Sequence, residues 1–399
     1  MNKNVPRLRF KEFNDEWEEV VLATLFNKVR IPVTVESDKY YRQIGIRSHG
    51  KGIFYKDEVL GKELGNKRVF WIEPDVFILN IVFAWERAVA KTTQKEIGMI
   101  ASHRFPMYKP KEEKLNLDYI TYFFKTEKGK NLLELASPGG AGRNKTLGQK
   151  EFDNLRFKVP VLKEQEKIAN FFTILDSLIK EQDGKVSDLE LYKKGMMQKI
   201  FKQEIRFKDE NGCDYPEWEI TTIEKIAQIK MGFTPSTKDE NAWCGNIEWL
   251  SIAGMHDKYI YSGNKKISEE LLGKKNLVPK ETLIMSFKLT IGKLAIVKKE
   301  LITNEAICQF YWKSKSILNE YMYAYLNTVN ISSFGCRAAK GITLNTESLN
   351  SIVVKLPCLQ EQTKIGNFLS NIDLIIKEEK KKLEDLRQWK KGLLQQMFV

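Results

Sequence analysis

The chain has 399 residues, 42% hydrophobic and 29% charged, enough for two to four domains with sizeable cores, which excludes global disorder. Lys plus Arg is 65 against 52 for Asp plus Glu, a surplus of +13 that favours a polyanionic partner. The longest apolar stretch, 76–85, is split by Asn80 and is half of the ~20 residues a membrane span needs.

The opening, MNKNVPRLRF, shows no apolar secretory core. Cys213, Cys244, Cys308, Cys336 and Cys358 form no CxxC pair, and His49, His103 and His256 lie far apart. Neither a structural zinc site nor a disulfide framework fits that spacing, so the expected compartment is reducing and cytoplasmic.

In chain order, RLRFKEFNDEW leads, with Phe10 and Trp17. The stretch 40–52, YYRQIGIRSHGKG, then combines Arg42, Arg47, Ser48, His49 and Lys51 with glycines. Cations and hydrogen-bonding side chains there suit phosphates or base edges, and glycine lets a backbone approach a nucleic-acid strand. Val76–Leu79 reads as a strand. His103-Arg104 follows it, then a Tyr/Phe-rich helix over Asp118–Lys125 and a Gly-rich loop carrying Arg143, Lys145 and Thr146.

The most informative feature is a repeat. Segment 154–201 and segment 351–398 align without a gap at an offset of 197, with about 21 identical positions of 48. Each begins with a strand-like run ended by Pro160 or Pro357. A helical stripe follows: Ile168, Phe171, Leu175, Leu178, Leu189, Tyr192 and Met196 in one copy, and Ile365, Phe368, Ile372, Ile375, Leu386, Trp389 and Leu393 in the other. Its middle is polar (Gln182, Lys185; Glu379, Lys382), and Val186 and Leu383 suggest a local change of phase. About 37 residues at ~1.5 Å each make a helix near 55 Å, and two such helices can pair as an antiparallel coiled coil.

The first copy runs into EIRFKDENGCDYPEW, with Phe207 and Trp218, which matches the start of the chain. The order is therefore cyclic: leading segment, globular region, long helix, twice over. In the second region, Lys230–Lys238 is a Gly-Pro-hydroxyl turn whose Thr234, Ser236 and Lys238 suit phosphate oxygens. Ser251 follows, and 257–299 carries ten Lys against four acids, including Lys288 and Lys293. Leu283–Phe287 and Leu294–Val297 read as strands and Asn319–Asn327 as a helix. Lys340 and Thr343 fall where Arg143 and Thr146 fall in the first half.

The expected fold is α+β: two mixed globular regions separated by two long helices, a pseudo-two-fold cyclic duplication. The expected divisions are 1–157, 158–203, 204–354 and 355–399. No P-loop, Gly-rich nucleotide loop, adenine-methyltransferase tetrapeptide or nucleophile elbow is present. Pro74-Asp75 with Glu112 and Lys114 is nuclease-like in composition only.

These features together resemble the specificity subunit of a type I DNA restriction–modification enzyme. The resemblance rests on Pro-x-Leu-x-Glu-Gln at 160–165 and 357–362, and on Lys-Lys-Gly at 193–195 and 390–392. The Gly-x-Thr-Pro-Ser turn at 232–236, followed by Trp243, Gly245 and Trp249, adds to it. It implies two target-recognition domains that read the halves of an asymmetric bipartite duplex-DNA target, with the helices as a ruler. It also implies a non-catalytic chain without cofactor of its own. Two modification subunits would bring S-adenosylmethionine, and restriction subunits would bring ATP and Mg²⁺ chemistry. Two alternatives stay open on the residues alone: a coiled-coil protein adaptor without DNA specificity, and an enzyme with an unseen nuclease centre.

Overall fold

The computed structural model describes residues 5–65, 67–139, 145–274, 277–338 and 341–399, with backbone alone for 273–274, 336–338 and 341–343. They form two units, one comprising the chain up to Gly184 together with Lys381–Val399, the other Lys185–Lys380.

In the first unit the strands are β1 (Glu18–Val21), β2 (Phe26–Val29), β3 (Tyr40–Ile46), β4 (Ile53–Leu60) and β5 (Val69–Trp71). Then come β6 (Phe77–Leu79), β7 (Val89–Lys91), β8 (Ile100–Ser102), β9 (Met107–Pro110) and β10 (Arg156–Val159). Helices α1 (Leu117–Phe123), α2 (Glu127–Leu135) and α3 (Gln149–Asp153) precede α4 (Leu162–Phe201). An antiparallel sheet of order β2-β9-β6-β7 backs the core, and a second, β4-β3-β8-β5, holds the β3–β4 hairpin. Strand β1 pairs with β10, so the leading segment is tied to the strand that feeds α4.

The second unit has β11 (Glu219–Thr222), the one-turn α5 (Ile223–Ile226), β12 (Ala227–Met231), β13 (Ile247–Leu250), β14 (Tyr259–Ile260) and β15 (Lys265–Ile267). It continues through β16 (Leu283–Ser286), β17 (Leu294–Val297), β18 (Ile302–Thr303), β19 (Ile307–Trp312) and α6 (Asn319–Leu326). Strands β20 (Cys336–Ala338) and β21 (Gly341–Thr343), helix α7 (Thr346–Asn350) and β22 (Val353–Leu356) follow, and α8 (Leu359–Gln396) begins in this unit and ends in the first, as α4 begins in the first and ends in this one. Its main sheet, β12-β19-β16-β17-β14, repeats the four-strand order of the first unit and adds one strand. Strand β11 pairs with β22 as β1 does with β10. The strands and short helices expected from sequence are thus present, within a residue or two at their ends.

The repeated motifs have structural partners. Glu164 and Glu361 are wholly buried. Arg9 donates to both carboxylate oxygens of Glu164 at 2.8 Å, and Arg206 does the same to Glu361 at 3.2 and 3.0 Å. Each contact raises the arginine above its ordinary pKa. The neighbouring glutamines are fixed alike. Gln165 donates to the carbonyls of Pro160 and Lys114 and accepts from the amide of Asn116. Gln362 donates to those of Pro357 and Ser316 and accepts from Leu318. A buried charge or amide is tolerable only when its hydrogen bonds are made in this way, which is why Glu-Gln recurs in register.

The cycle closes physically. Leu8 N–H donates to the carbonyl of Gln396 at 3.0 Å, and Ile205 N–H to that of Lys199 at 3.4 Å, the same contact 197 residues on. Phe398 sits among Tyr119, Phe123 and Phe172, and Phe201 among Trp218, Tyr321 and Tyr325.

Within each unit α4 and α8 run antiparallel. In the first, Lys390 pairs with Asp176 and Arg387 with Asp183; in the second, Lys193 pairs with Asp373, and Lys380 and Lys185 with Glu190 and Glu379. Asp176 and Asp373, like Lys193 and Lys390, are repeat mates. The polar middle now has a reason on one side: Glu379 is buried and takes the exposed Lys185 at 3.1 Å, so the carboxylate keeps a charged partner that reaches in from solvent. Val186 and Leu383 are buried, as the change of phase required.

Four stripe positions are corrected. Leu178 and Tyr192, and their mates Ile375 and Trp389, are 46–53% exposed. The buried line instead runs through Ile168, Phe172 and Leu175 in one helix and Ile365, Leu369, Ile372 and Ile376 in the other. Phe171 and Phe368, one position off that line, are only half-buried. The helices also pack on α1 and α6, so the buried face is wider than a two-residue seam and is displaced toward the sheets.

Candidate nucleic-acid interface

In the first unit the loop between β6 and β7, 80–88, gathers the others. His49 and Gly50 donate their amides to the carbonyls of Glu86 and Arg87, and Ser48 Oγ donates to the Glu86 carboxylate at 2.7 Å. His49 adopts a left-handed backbone, φ 62°, and closes the β3–β4 turn with Gly50. On the other side, Ile81 N–H donates to the carbonyl of Arg104 and Leu147 N–H to that of Ile81. The Lys145 ammonium lies 5.7 Å from the Trp85 ring. Arg47, His49, Lys51, His103 and Arg104 are exposed, and Ser48 and Lys145 half-buried.

In the second unit the equivalent β16–β17 loop, 287–293, belongs to a similar edge. Ser286 is buried, donates to the Thr290 carbonyl, accepts from Lys293 N–H at 3.0 Å and so shapes the hairpin. Phe287 N–H reaches the carbonyl of Ala306. Asn304 donates through Nδ2 to Thr234 Oγ1 at 2.8 Å, and its own N–H bonds the carbonyl of Leu250, next to Ser251. Lys293 Nζ lies 3.5 Å from the carbonyl of Ile252.

The Gly-Thr-Pro-Ser turn is held from behind. Trp249 Nε1 donates to the Phe233 carbonyl at 2.7 Å and Trp243 Nε1 to that of Ser236 at 3.0 Å, the two indoles meeting edge-on at 5.0 Å. A Cβ on Gly232 would lie 2.1 Å from the Asn304 carbonyl oxygen, so only glycine fits there.

Of the residues singled out from sequence, these contacts bring Ser48, His49, Arg104 and Lys145 to one edge, with Arg47 and Lys51 in the same turn as His49 and His103 beside Arg104. Thr234, Ser251 and Lys293 come to the other, with Ser236, Lys238 and Lys288 on the same loops. Arg42 does not join them. It stands within β3 opposite Glu58 and donates to the Lys56 carbonyl, over the Tyr55 ring. Arg143 and Lys340 lie outside the described residues, and Thr343 is described as β21 backbone only.

Sequence reasoning missed the loop 80–88, with Phe83, Trp85 and Arg87, and missed Asn304 and Leu289. The signal was positional: FILNIVFAWERAVAK at 77–91 and LIMSFKLTIGKLAIVK at 283–298 are the same strand–loop–strand unit. Their loops share no residues, so the alignment was visible only through the sheets.

Among the described residues no group of His, Cys, Asp and Glu could hold a metal ion, and no helix is long and apolar enough to cross a membrane. A duplicated α+β chain with one cation-rich loop edge per unit and a paired-helix frame is, in class, a scaffold for addressing nucleic acid.

The comparisons specify it. The family model for the type I restriction modification DNA specificity domain matches residues 14–190 and again 215–388, so the chain belongs to that family. The type I restriction enzyme MjaVIII specificity subunit of Methanocaldococcus jannaschii is 22% identical, with 96% of this chain and 94% of that one aligned. The MjaIX specificity subunit of the same organism is 29% identical, but the chain spans only about half of its length, 48%. Among solved structures, the S subunit from M. genitalium matches with TM-score 0.58 at 14% identity, covering 99% of both chains. The HsdS subunit from Thermoanaerobacter tengcongensis matches with TM-score 0.50 at 16% identity, covering 96% of both. These likenesses speak for the fold. The expectation of a DNA-specificity subunit with a duplicated α+β architecture, rather than a catalytic subunit, agrees with the family and its named relatives.

Proposed function

We propose that this chain reads an asymmetric, bipartite duplex-DNA target and directs methyltransferase and restriction subunits to it, with each unit reading one half. The observation that carries the reading is the contrast within the duplication: the frames repeat the same key contacts, whereas the loop edges at 47–51, 80–88, 103–104 and 145 differ from those at 232–238, 251, 287–293 and 304. Two different edges on one repeated frame suit two different half-sites. In each half, arginines and lysines hold phosphates while hydroxyls, amides and apolar groups meet base edges.

The recognition domains in this reading are 1–157 and 204–354, and the helical regions are 158–203 and 355–399. Leu178 with Trp389, and Ile375 with Tyr192, are repeat-related apolar pairs left exposed on the helices. Two equivalent apolar pairs suit two copies of a modification subunit. S-adenosylmethionine, ATP and Mg²⁺ belong to the partner subunits, and the assembly works in the cytoplasm.

The test is a methylome. The chain is expressed with the modification subunit encoded beside it in a methylation-free host, and methyladenine is mapped by long-read sequencing. One split motif methylated in both halves, of which exchange of residues 1–157 alters a single half, is the expected result. An assembled, active complex without sequence preference overturns the proposal.

A further inference from the structure

The tip of the β16–β17 hairpin carries a leucine in an unfavourable place. Leu289 is 94% exposed, and its backbone is left-handed at φ 63°, a conformation that costs a branched-chain L-residue free energy and that glycine adopts freely. Single exposed leucines are ordinary on protein surfaces, so exposure alone says little. Three further features bear on it. The loop is braced from within by the buried Ser286, Lys288 and Lys293 flank the tip, and the equivalent hairpin of the first unit, between β6 and β7, also exposes an apolar residue, Phe83 at 39%. The two loops share no sequence, yet each exposes a large apolar side chain, Leu289 beside Lys288 and Phe83 four residues before Arg87.

The major groove admits a hairpin of this kind, and its one apolar feature is the C5-methyl group of thymine. Resting on the DNA-recognition reading above, we infer that Leu289 and Phe83 are specificity-determining residues, each contacting a thymine methyl in the half-site its unit reads. At the Leu289 hairpin, Lys288 and Lys293 hold phosphates and the Ser286 brace fixes the turn.

The experiment uses the full chain assembled with its modification subunit, and duplexes carrying the mapped target with each thymine in turn replaced by deoxyuridine, which removes only the methyl. Wild-type binding weakens about fourfold at one thymine in each half, the equivalent of one lost buried methyl. Leu289→Gly fits the backbone without strain. It binds the thymine duplex as weakly as wild type binds the uracil duplex, and it loses uracil sensitivity in that half only. Leu289→Met restores the sensitivity, and Phe83→Ala abolishes it in the other half. Wild-type indifference to every uracil, or equal weakening of thymine and uracil duplexes by Leu289→Gly, overturns the inference while leaving target recognition intact. Absence of any target preference in the wild-type complex overturns the recognition reading itself.

Discussion

Removing the Glu361 carboxylate should open one half of the molecule and spare the other. Glu361→Ala strands two donors, Arg206 and the Trp218 indole, which bonds Glu361 at 2.9 Å. Breaking a buried ion pair from one side costs about 3–5 kcal/mol. Arg206 keeps the carbonyls of Tyr215 and Pro216 and the carboxylate of Glu217 as acceptors, which places this case at the lower end, about 3 kcal/mol. That figure includes the buried indole N–H left unpaired. Glu164→Ala is the internal comparison. Arg9 is also largely buried but has no other acceptor among the described residues, so its loss should cost more, about 4 kcal/mol.

Hydrogen–deuterium exchange reads both changes locally. In Glu361→Ala the amides of 205–222 and 357–365 should exchange faster by about two decades, the equivalent of 3 kcal/mol, with 8–22 and 160–168 unchanged. Glu164→Ala should give the reverse pattern. Equal loss of protection in both copies, or a change below about 0.5 kcal/mol, would refute the view that Glu-Gln locks each leading segment to its own helix.

Other consequences follow from particular contacts. Gly232→Ala forces its Cβ against the backbone carbonyls of Thr303 and Asn304, which should destabilise the second unit by about 1–3 kcal/mol in thermal unfolding and abolish methylation of one half-site. The Lys193–Asp373 and Lys390–Asp176 pairs are part-exposed, so double-mutant cycles should return no more than about 1 kcal/mol each, falling with salt. Burial pushes the phenols of Tyr119, Tyr122, Tyr259 and Tyr321 above the usual range. The native state then keeps protons that the unfolded state releases above about pH 10, so stability should fall with rising pH there, and phenolate absorbance should rise together with unfolding. Burial likewise raises the Cys308 thiol to about 12, so under native conditions near pH 8 thiol reagents should label the exposed Cys213 and Cys244 and leave Cys308 unmodified.

The frame was legible in the sequence because its constraints are local and repeated. A proline before the helix, an acid and an amide at its first turn, and an apolar stripe all declare themselves within 48 residues, twice. The stripe's exact face was misread at Leu178 and Tyr192 because spacing gives a period but not which neighbours, α1 and α6 as well as the other helix, compete for the surface. The candidate interface was only half legible. Cations and glycines drew attention to 47–51 and 232–238, but Asn304 and the loop 80–88 take their place from pairing between strands that are not neighbours in sequence, β6 with β9 and β16 with β19, which composition cannot show.

The duplication itself separates holding from reading. Positions identical between the halves include Pro160 and Pro357, Glu164 and Glu361, Gln165 and Gln362, Asp176 and Asp373, Lys193 and Lys390, and Phe201 and Phe398. The acids, amides, lysines and phenylalanines among them have their partner inside their own unit, in a contact that the other unit repeats. None of these pairs lies on the loop edges. Identity within the chain therefore marks what both halves need in order to fold, and on the proposed reading the residues that meet different bases are to be sought where the halves disagree. The tryptophans after the leading segments make the same point from the frame side: Trp218 donates to Glu361, whereas the Trp17 indole N–H, equally buried, has no acceptor among the described residues. One copy makes a hydrogen bond that the other lacks, although an arginine holds both carboxylate oxygens in each. A frame can absorb such a difference without changing what its loops present, which is what lets one repeated scaffold carry two unlike recognition edges.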